Sequence, residues 1–190
     1  MRYYIRGMLA VSLLLGMVGL AACSGPGSLP PIPQTSDADY RLGPGDQVRI
    51  ITFGDEQLTG EFRVKDDGDV SLPLIGPVKA AGLTTSQLGT EVTQALISKD
   101  LYKNPSVSVE VTAYRPVFVL GEVARPGQYP YQPGMTVQTA VAVSGGFTYR
   151  AVEDAFKITR NIHDKPVQGR AGPETQVRPG DVITVYERSF

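Results

Sequence analysis

Tyr40-Arg41-Leu42-Gly43-Pro44-Gly45-Asp46-Gln47-Val48-Arg49-Ile50 joins a turn to the beginning of a strand. Proline fixes φ and glycine tolerates positive φ, so residues 43–46 are predicted to turn. The residues that follow have the two-residue period of a strand. One strand face would carry Val48, Ile50 and Thr52, and the other Arg49, Ile51 and Phe53. The chain is therefore expected to enter a β-sheet directly after the turn.

A similar pattern returns near the other end of the chain. Pro179-Gly180-Asp181-Val182-Ile183-Thr184-Val185 resembles Pro44-Gly45-Asp46-Gln47-Val48-Arg49-Ile50. Turns before strands look alike because they share the same chemistry, which alone accounts for the likeness. An internal duplication is the alternative interpretation.

A first module is predicted between the opening turn and Tyr114. Asp66-Asp67-Gly68 is a tight hairpin signal, after which Val70-Ser71-Leu72 returns and residues 74–78 extend the sheet. Thr84 is expected to cap a helix, with Gln87 reaching back to the cap. The helix presents one apolar stripe, and alternating valines then predict a half-buried strand over residues 107–111. The stripe consists of Leu88, Val92, Ala95 and Leu96.

A second module is predicted from about residue 116. It has strands at 117–123, 156–160 and 182–186, with a turn at Arg125-Pro126-Gly127. A short helix is expected from Thr136 and ends at Gly145-Gly146. Short strands, frequent turns and one helix in each module predict an α+β fold.

The N-terminus resembles the signal peptide of bacterial lipoproteins. Arg2 and Arg6 precede a predominantly apolar run of 13 residues, from Met8 to Leu20, which leads into Leu20-Ala21-Ala22-Cys23. That run is too short to span a bilayer, which takes about 20 residues. The resemblance to a lipobox implies removal of residues 1–22 and acylation of Cys23; the alternative is an ordinary secretory peptide. Residues 23–39 are rich in Pro and Gly and are expected to form a lipidated tether.

Composition excludes several kinds of chemistry. Cys23 is the sole cysteine and His163 the sole histidine, so no disulfide within the chain, cysteine-ligated zinc or thiol catalyst is expected. Asp66, Asp67 and Asp69 lack the spacing of a calcium loop, and no cofactor motif is present. Without residues 1–22 the net charge is −3, which gives no footprint for nucleic acid. A glycan-cleaving carboxylate pair stays open, with Asp46, Glu56, Glu61 and Glu122 as candidates.

Two stretches together resemble the outer-membrane polysaccharide export family of Gram-negative lipoproteins. The family's export module is resembled by residues 40–46, 64–68, 71–76 and 81–84. The soluble-ligand-binding β-grasp (SLBB) domain that follows it in the family is resembled by residues 119–129, 135–137 and 144–148. The resemblance implies an export module over 40–114 and a β-grasp domain over 115–190. The motif residues are Gly43, Gly45, Asp46, Asp67, Gly68, Pro73 and Gly76 in the first, and Gly121, Pro126, Gly127, Gly145 and Gly146 in the second.

The resemblance also implies a function. Family members form homo-oligomeric rings, such as octamers, which conduct capsular polysaccharide or exopolysaccharide. The chain is therefore expected to be a lipid-anchored protein at the periplasmic face of the outer membrane, without enzymatic activity or cofactor, docked to an inner-membrane co-polymerase. Lys65, Asp46, Asp66 and Asp67 are expected at the lumen or rim.

Two further expectations limit this interpretation. Only four residues follow the last predicted strand, so we expect no membrane-crossing C-terminal helix and a separate outer-membrane pore as partner. The alternative function is a periplasmic lipoprotein that binds a glycan or other soluble ligand without transporting it. That protein would be a monomer with one saturable site.

Overall fold

The computed structural model of the protein describes residues 28–34, 40–162 and 165–188. The predicted signal peptide, the predicted lipid attachment residue Cys23 and the sole histidine, His163, lie outside these residues. Within the described ranges, no helix combines the length and the apolar character needed to cross a membrane.

The first domain is a small α+β unit. Its elements are β1 (Gln47–Thr52), β2 (Asp55–Arg63), β3 (Asp69–Leu72), β4 (Gly76–Lys79), α1 (Thr85–Ser98) and β5 (Val107–Ala113). An antiparallel sheet has the order β2-β1-β5, and β3 and β4 form a separate hairpin. Val48 and Ile50 of β1 are fully buried and share one core with α1. The alternation that follows residue 46 therefore builds the sheet as predicted.

Helix α1 confirms the predicted capping box. Thr84 Oγ1 accepts from the Gln87 amide at 3.2 Å, and Gln87 Oε1 accepts from the Thr84 amide at 2.9 Å. Leu88, Val92 and Leu96 are fully buried beneath the helix, as the apolar stripe requires. The helix thus begins and faces the core where the sequence predicts.

The predicted return strand at residues 70–72 forms, but with a different partner. Gly68 takes the positive φ of 85° that the hairpin signal predicted. Strand β3 nevertheless pairs with β4, from Asp69 opposite Lys79 to Leu72 opposite Gly76. Strand β2 is instead paired with β1 through Arg63 and lies at the end of that sheet, with no pairing to β3. The predicted single continuous sheet is therefore two sheets.

The second domain is a mixed sheet with one helix. Its elements are β6 (Val117–Gly121), β7 (Gly127–Tyr129), α2 (Val137–Val143), β8 (Ala151–Ile162), β9 (Lys165–Ala171) and β10 (Val182–Glu187). The strand order is β7-β6-β10-β8-β9, with β6 and β10 parallel and the other neighbours antiparallel. Helix α2 packs its buried Val137, Ala140 and Val141 on one face, an arrangement of β-grasp type. The predicted α+β class is confirmed.

Residues 30–33 form what we call the N-terminal strap. The sequence predicts a tether over 23–39, but this part lies along the free edge of β9. The Arg170 amide donates to the Pro30 carbonyl at 2.7 Å, and the Ile32 amide donates to the Arg170 carbonyl at 2.9 Å. Ile32 is 3 % exposed and belongs to the core of the second domain. The strap is therefore docked, in contrast to the expected tether.

Candidate functional site

The two Pro-Gly-Asp turns have the same geometry. Gly45 and Gly180 have φ of 95° and 85°. The Asp46 amide donates to the Gly43 carbonyl at 3.1 Å, and the Asp181 amide to the Arg178 carbonyl at 3.0 Å. Each aspartate Oδ2 also accepts from the amide three residues earlier, at 2.8 Å in both turns. The sequence likeness is thus matched by a likeness in backbone and side chain.

Each turn aspartate is buried and paired with an arginine. Asp46 and Asp181 are 0 % and 1 % exposed. The Arg115 guanidinium lies 3.2 Å from Asp46, and that of Arg160 lies 2.7 Å from Asp181. A buried carboxylate is costly unless it is paired and fully hydrogen-bonded. These arginines therefore hold the turns in place.

Arg115 also connects the two domains. Its backbone amide donates to Asp46 Oδ1 at 2.7 Å, while its Nε donates to the Pro179 carbonyl at 3.1 Å. A Cβ at Gly43 would lie 2.0 Å from one guanidinium nitrogen, and a Cβ at Gly180 would lie 2.9 Å from Nε. The absence of a Cβ at these glycines thus provides the space that the Arg115 side chain occupies. One arginine fastens the first turn to the second.

Three tyrosines line a cleft beside this connection. The rings of Tyr40 and Tyr114 are 5.2 Å apart at 76°, and those of Tyr114 and Tyr131 are 5.3 Å apart at 73°. The Arg115 guanidinium lies 5.7 Å from the centre of the Tyr40 ring. The remaining wall of the cleft consists of Pro133, Arg178 and Pro179. The cleft offers aromatic surface and positive charge, which are groups that bind rather than react.

The Tyr40 hydroxyl is part of the buried network. It donates to Asp46 Oδ2 at 2.6 Å. Burial raises the pKa of the Tyr40 phenol above its usual range. The hydroxyl consequently stays protonated at neutral pH and remains a hydrogen-bond donor.

The motif residues expected in the export module are placed at turns. Gly43, Gly45 and Asp46 form the first Pro-Gly-Asp turn, Asp67 and Gly68 the turn before β3, and Pro73 and Gly76 the connection from β3 to β4. Asp67 Oδ1 accepts from the Asp69 amide at 3.0 Å. These residues shape the backbone and do not converge on one ligand position.

The motif glycines of the second domain are explained in the same way. Gly121 has a φ of 86°, and a Cβ there would lie 2.1 Å from the Val185 carbonyl oxygen. Pro126 and Gly127 lead into β7, and Gly145 and Gly146 end α2 with φ of 93° and 88°. Their roles in the structure are turns and close strand packing.

The expectation that Asp46 lies at a lumen or rim is wrong. Its side chain is fully buried and accepts hydrogen bonds from Gly43, Tyr40 and Arg115. Lys65, Asp66 and Asp67 are exposed and remain compatible with that expectation. Asp46 was also a candidate for a glycan-cleaving carboxylate pair, and its carboxylate is instead engaged in hydrogen bonds that hold the fold.

Two further observations concern reactive groups. Glu56 and Glu61 are exposed, and Glu122 accepts a hydrogen bond from the Thr148 hydroxyl at 2.5 Å. Among the residues that the structure describes, no cluster of three or more potential metal ligands occurs.

Sequence reasoning missed the residues that make this site. Arg115, Tyr114 and Tyr131 come together only when the two domains meet, and no spacing of residues in the sequence predicts this contact. The one available signal was the position of Tyr114-Arg115 at the predicted boundary between the modules.

Comparison with known proteins identifies both domains. Residues 34–112 match the family described as polysaccharide biosynthesis/export protein, and residues 116–171 match the SLBB domain. The exopolysaccharide production protein ExoF of Rhizobium meliloti (strain 1021) is 38% identical over 121 residues, which cover 57% of this chain and 28% of ExoF.

Two other relatives align over more of this chain. The polysialic acid transport protein KpsD of Escherichia coli is 37% identical over 162 residues, covering 79% of this chain and 28% of KpsD. The EPS I polysaccharide export outer membrane protein EpsA of Ralstonia solanacearum is 27% identical over 183 residues, covering 78% of this chain and 48% of EpsA. Each alignment thus covers less than half of the relative.

The matched regions follow one another in the order in which the two folded domains occur. The first covers the domain that ends in β5, and the second begins with the strand that follows Arg115. This chain, an export domain followed by an SLBB domain, belongs to the polysaccharide export protein family.

Proposed function

We propose that this protein is a lipid-anchored subunit of a homo-oligomeric ring that conducts polysaccharide through the periplasm to the outer membrane. The observation that carries the proposal is the succession of an export domain and an SLBB domain. The names of ExoF, KpsD and EpsA all refer to polysaccharide production, transport or export. The chain is proposed to act by conducting polymer rather than by catalysis.

The connection through Arg115 supports a role as a ring subunit. A closed ring forms only if each copy meets the next at a constant angle. A subunit with two loosely linked domains would allow many angles, whereas Arg115 bonds to both Asp46 and Pro179. The two domains can therefore act as one rigid piece in assembly.

The exposed charges on the β2 to β3 turn suit contact with a moving polymer. Lys65, Asp66 and Asp67 are all exposed there. A hydrated glycan passes only if its contacts are weak and exchange readily with water, as contacts to exposed charges do. We place this turn at the lumen or rim of the proposed ring. The co-polymerase and outer-membrane pore stay predictions.

Secretion of polymer tests the proposal directly. Polysaccharide is measured inside and outside cells that lack the gene, and again after return of the wild-type gene or of Cys23→Ala. We expect secreted polymer to disappear on deletion and to return only with the form that can be acylated. Unchanged secretion after deletion would overturn the transport role.

The tyrosine cleft favours a second candidate, a glycan-binding protein without a transport role. Aromatic faces beside a cation are suited to the apolar faces and polar groups of sugars. This candidate predicts a monomer with saturable binding of the exported polymer that is lost in Tyr131→Ala. Light scattering of the full chain in detergent distinguishes the two, since the ring predicts one defined oligomer.

A further inference from the structure

The outer face of the second sheet carries an unusual set of side chains. Helix α2 covers the inner face, so the other face is open to its surroundings. At neighbouring positions of four strands this open face presents apolar, uncharged polar and basic groups and no acid. The set consists of Phe118, Leu120, Val182, Thr184, Lys157, Thr159, Gln168 and Arg170.

Two of these residues are cations in direct opposition. Lys157 of β8 is the cross-strand partner of Arg170 of β9. Like charges at directly opposed positions of a sheet are unfavourable. Within the described residues, neither side chain takes part in an ion pair. An anionic partner from outside the chain would relieve this repulsion.

The apolar part of the face adjoins the cations. Phe118 and Leu120 are 36% and 43% exposed, although both lie on β6, which is an internal strand of the sheet. Apolar groups flanked by Lys or Arg are the combination by which proteins lie on a membrane surface. The chemistry of the face thus fits the interface of an anionic bilayer.

The N-terminal strap keeps this face near the membrane if Cys23 is acylated. Seven residue steps separate Cys23 from Pro30, which is already bonded to Arg170. However they are arranged, seven steps reach at most about 25 Å. If the strap were not docked, Tyr40 would be the first residue held by the folded protein. It lies seventeen residue steps from Cys23, which reach about 60 Å. The docked strap therefore places the β9 edge within a short distance of the lipid.

We propose that the outer face of the second sheet rests on the anionic membrane surface into which Cys23 is anchored. This inference depends on the proposed function for the lipid anchor. Lys157 and Arg170 contact the negative headgroups, and Phe118 and Leu120 enter the boundary with the acyl chains. Each basic side chain near such a surface strengthens binding about fivefold.

The test compares two labelled positions on opposite sides of the same domain. Gln128 is exposed on the outer face, opposite Phe118, and Gln138 is exposed on α2. Full-length acylated Gln128→Cys and Gln138→Cys proteins receive a fluorophore, since the Cys23 thiol is blocked by its lipid. They are reconstituted in vesicles of phosphatidylcholine with or without phosphatidylglycerol, containing a lipid with a nitroxide headgroup.

We expect nitroxide quenching at Gln128 to exceed that at Gln138, and to be stronger in the anionic vesicles. The combined change Lys157→Gln and Arg170→Gln should remove most of the difference. Lys99→Gln with Lys103→Gln is the matched control, since both lysines are exposed on the first domain and the charge change is the same. Circular dichroism verifies that each variant is folded.

Other outcomes overturn specific parts of the reasoning. Equal quenching at the two positions in acylated protein, or quenching that is unchanged by the double substitution, overturns the membrane face alone. Mass spectrometry that finds Cys23 without acyl chains overturns the lipid anchor of the proposed function. Quenching between Gln128 labels without dependence on lipid charge assigns the face to a second copy and overturns the proposal. If the protein in detergent binds an acidic polysaccharide in a charge-dependent way, and vesicles make no difference, the face is assigned to a glycan. That result also overturns the proposal.

Discussion

Asp46 and Arg115 are bonded twice, once through the arginine backbone amide and once through its guanidinium, although they are 69 positions apart in the chain. The carboxylate is fully buried, and the arginine side chain is 26% exposed. Because the same guanidinium reaches Pro179, the pair belongs to the fold of both domains.

Arg115→Ala is expected to lower the free energy of unfolding by about 3 kcal/mol, because it leaves a buried carboxylate unpaired. The loss of the bond to Pro179 should also separate urea unfolding into two transitions. Arg49→Ala is the control, since Arg49 is exposed on β1, and it should change stability by less than about 0.5 kcal/mol. One unshifted transition in Arg115→Ala would show that the arginine does not hold the domains together.

Gly169→Ala should displace the N-terminal strap. A Cβ at this position would lie 2.6 Å from Ile32 Cα, which is backbone and cannot turn aside. We expect a loss of stability similar to that of Ile32→Ala, about 2–4 kcal/mol, since either change takes a buried isoleucine out of contact. The two losses should not add in the double variant. Gly172→Ala is the control, because a Cβ there meets no atom within 4 Å.

Gly121→Ala should be among the most destabilising single changes in the second domain. Its positive φ is unfavourable for alanine by about 1–2 kcal/mol, and its Cβ would strike the Val185 carbonyl. Gly134→Ala has a similar φ of 81° with open space around it, so that variant measures the backbone strain alone. Thermal unfolding of both variants should show a larger decrease for Gly121→Ala. Equal decreases would mean that β10 moves to make room.

Stability should fall at alkaline pH in part because of Tyr40. Burial raises the pKa of its phenol in the folded protein, so the unfolded chain releases this proton first. The contribution is fully present below the unfolded pKa of about 10 and is lost as pH rises above it. Tyr40→Phe has no such proton, and its unfolding free energy should depend less steeply on pH above 10.

The pKa values of Tyr102 and Tyr186 are raised as well, by a hydrogen bond to Asp55 and by burial, so some slope should remain. Urea unfolding at several alkaline pH values, compared with the wild type, checks the prediction. An unchanged slope in Tyr40→Phe would mean that Tyr40 ionises in the folded state.

Local signals predicted the elements that depend on neighbouring residues. The Thr84 capping box, the Gly68 turn and the alternation of β1 all involve contacts within a few positions of the chain. The glycines after α2 belong to the same class. These features needed no knowledge of the tertiary structure.

Features that depend on distant contacts could not be predicted. Strand β9 contains Pro166 and Gly169, which lower strand propensity, but Gly169 is where Ile32 packs. Ile32 itself is one apolar residue among prolines and gives no periodic signal. The predicted partner of β3 was wrong for the same reason, since the turn signal at residues 66–68 is local and does not say that β3 pairs with β4. The tyrosine cleft likewise exists only between the two domains.

The docked strap also decides how the second sheet ends. Pro30, Pro31 and Pro33 have no amide hydrogen, and the amide of Ile32 is already bonded to Arg170. A row of residues without available donors cannot template another strand, so the border of the sheet beside Arg170 is closed to edge-to-edge addition. The protein is thereby protected from uncontrolled polymerisation along that part of the border.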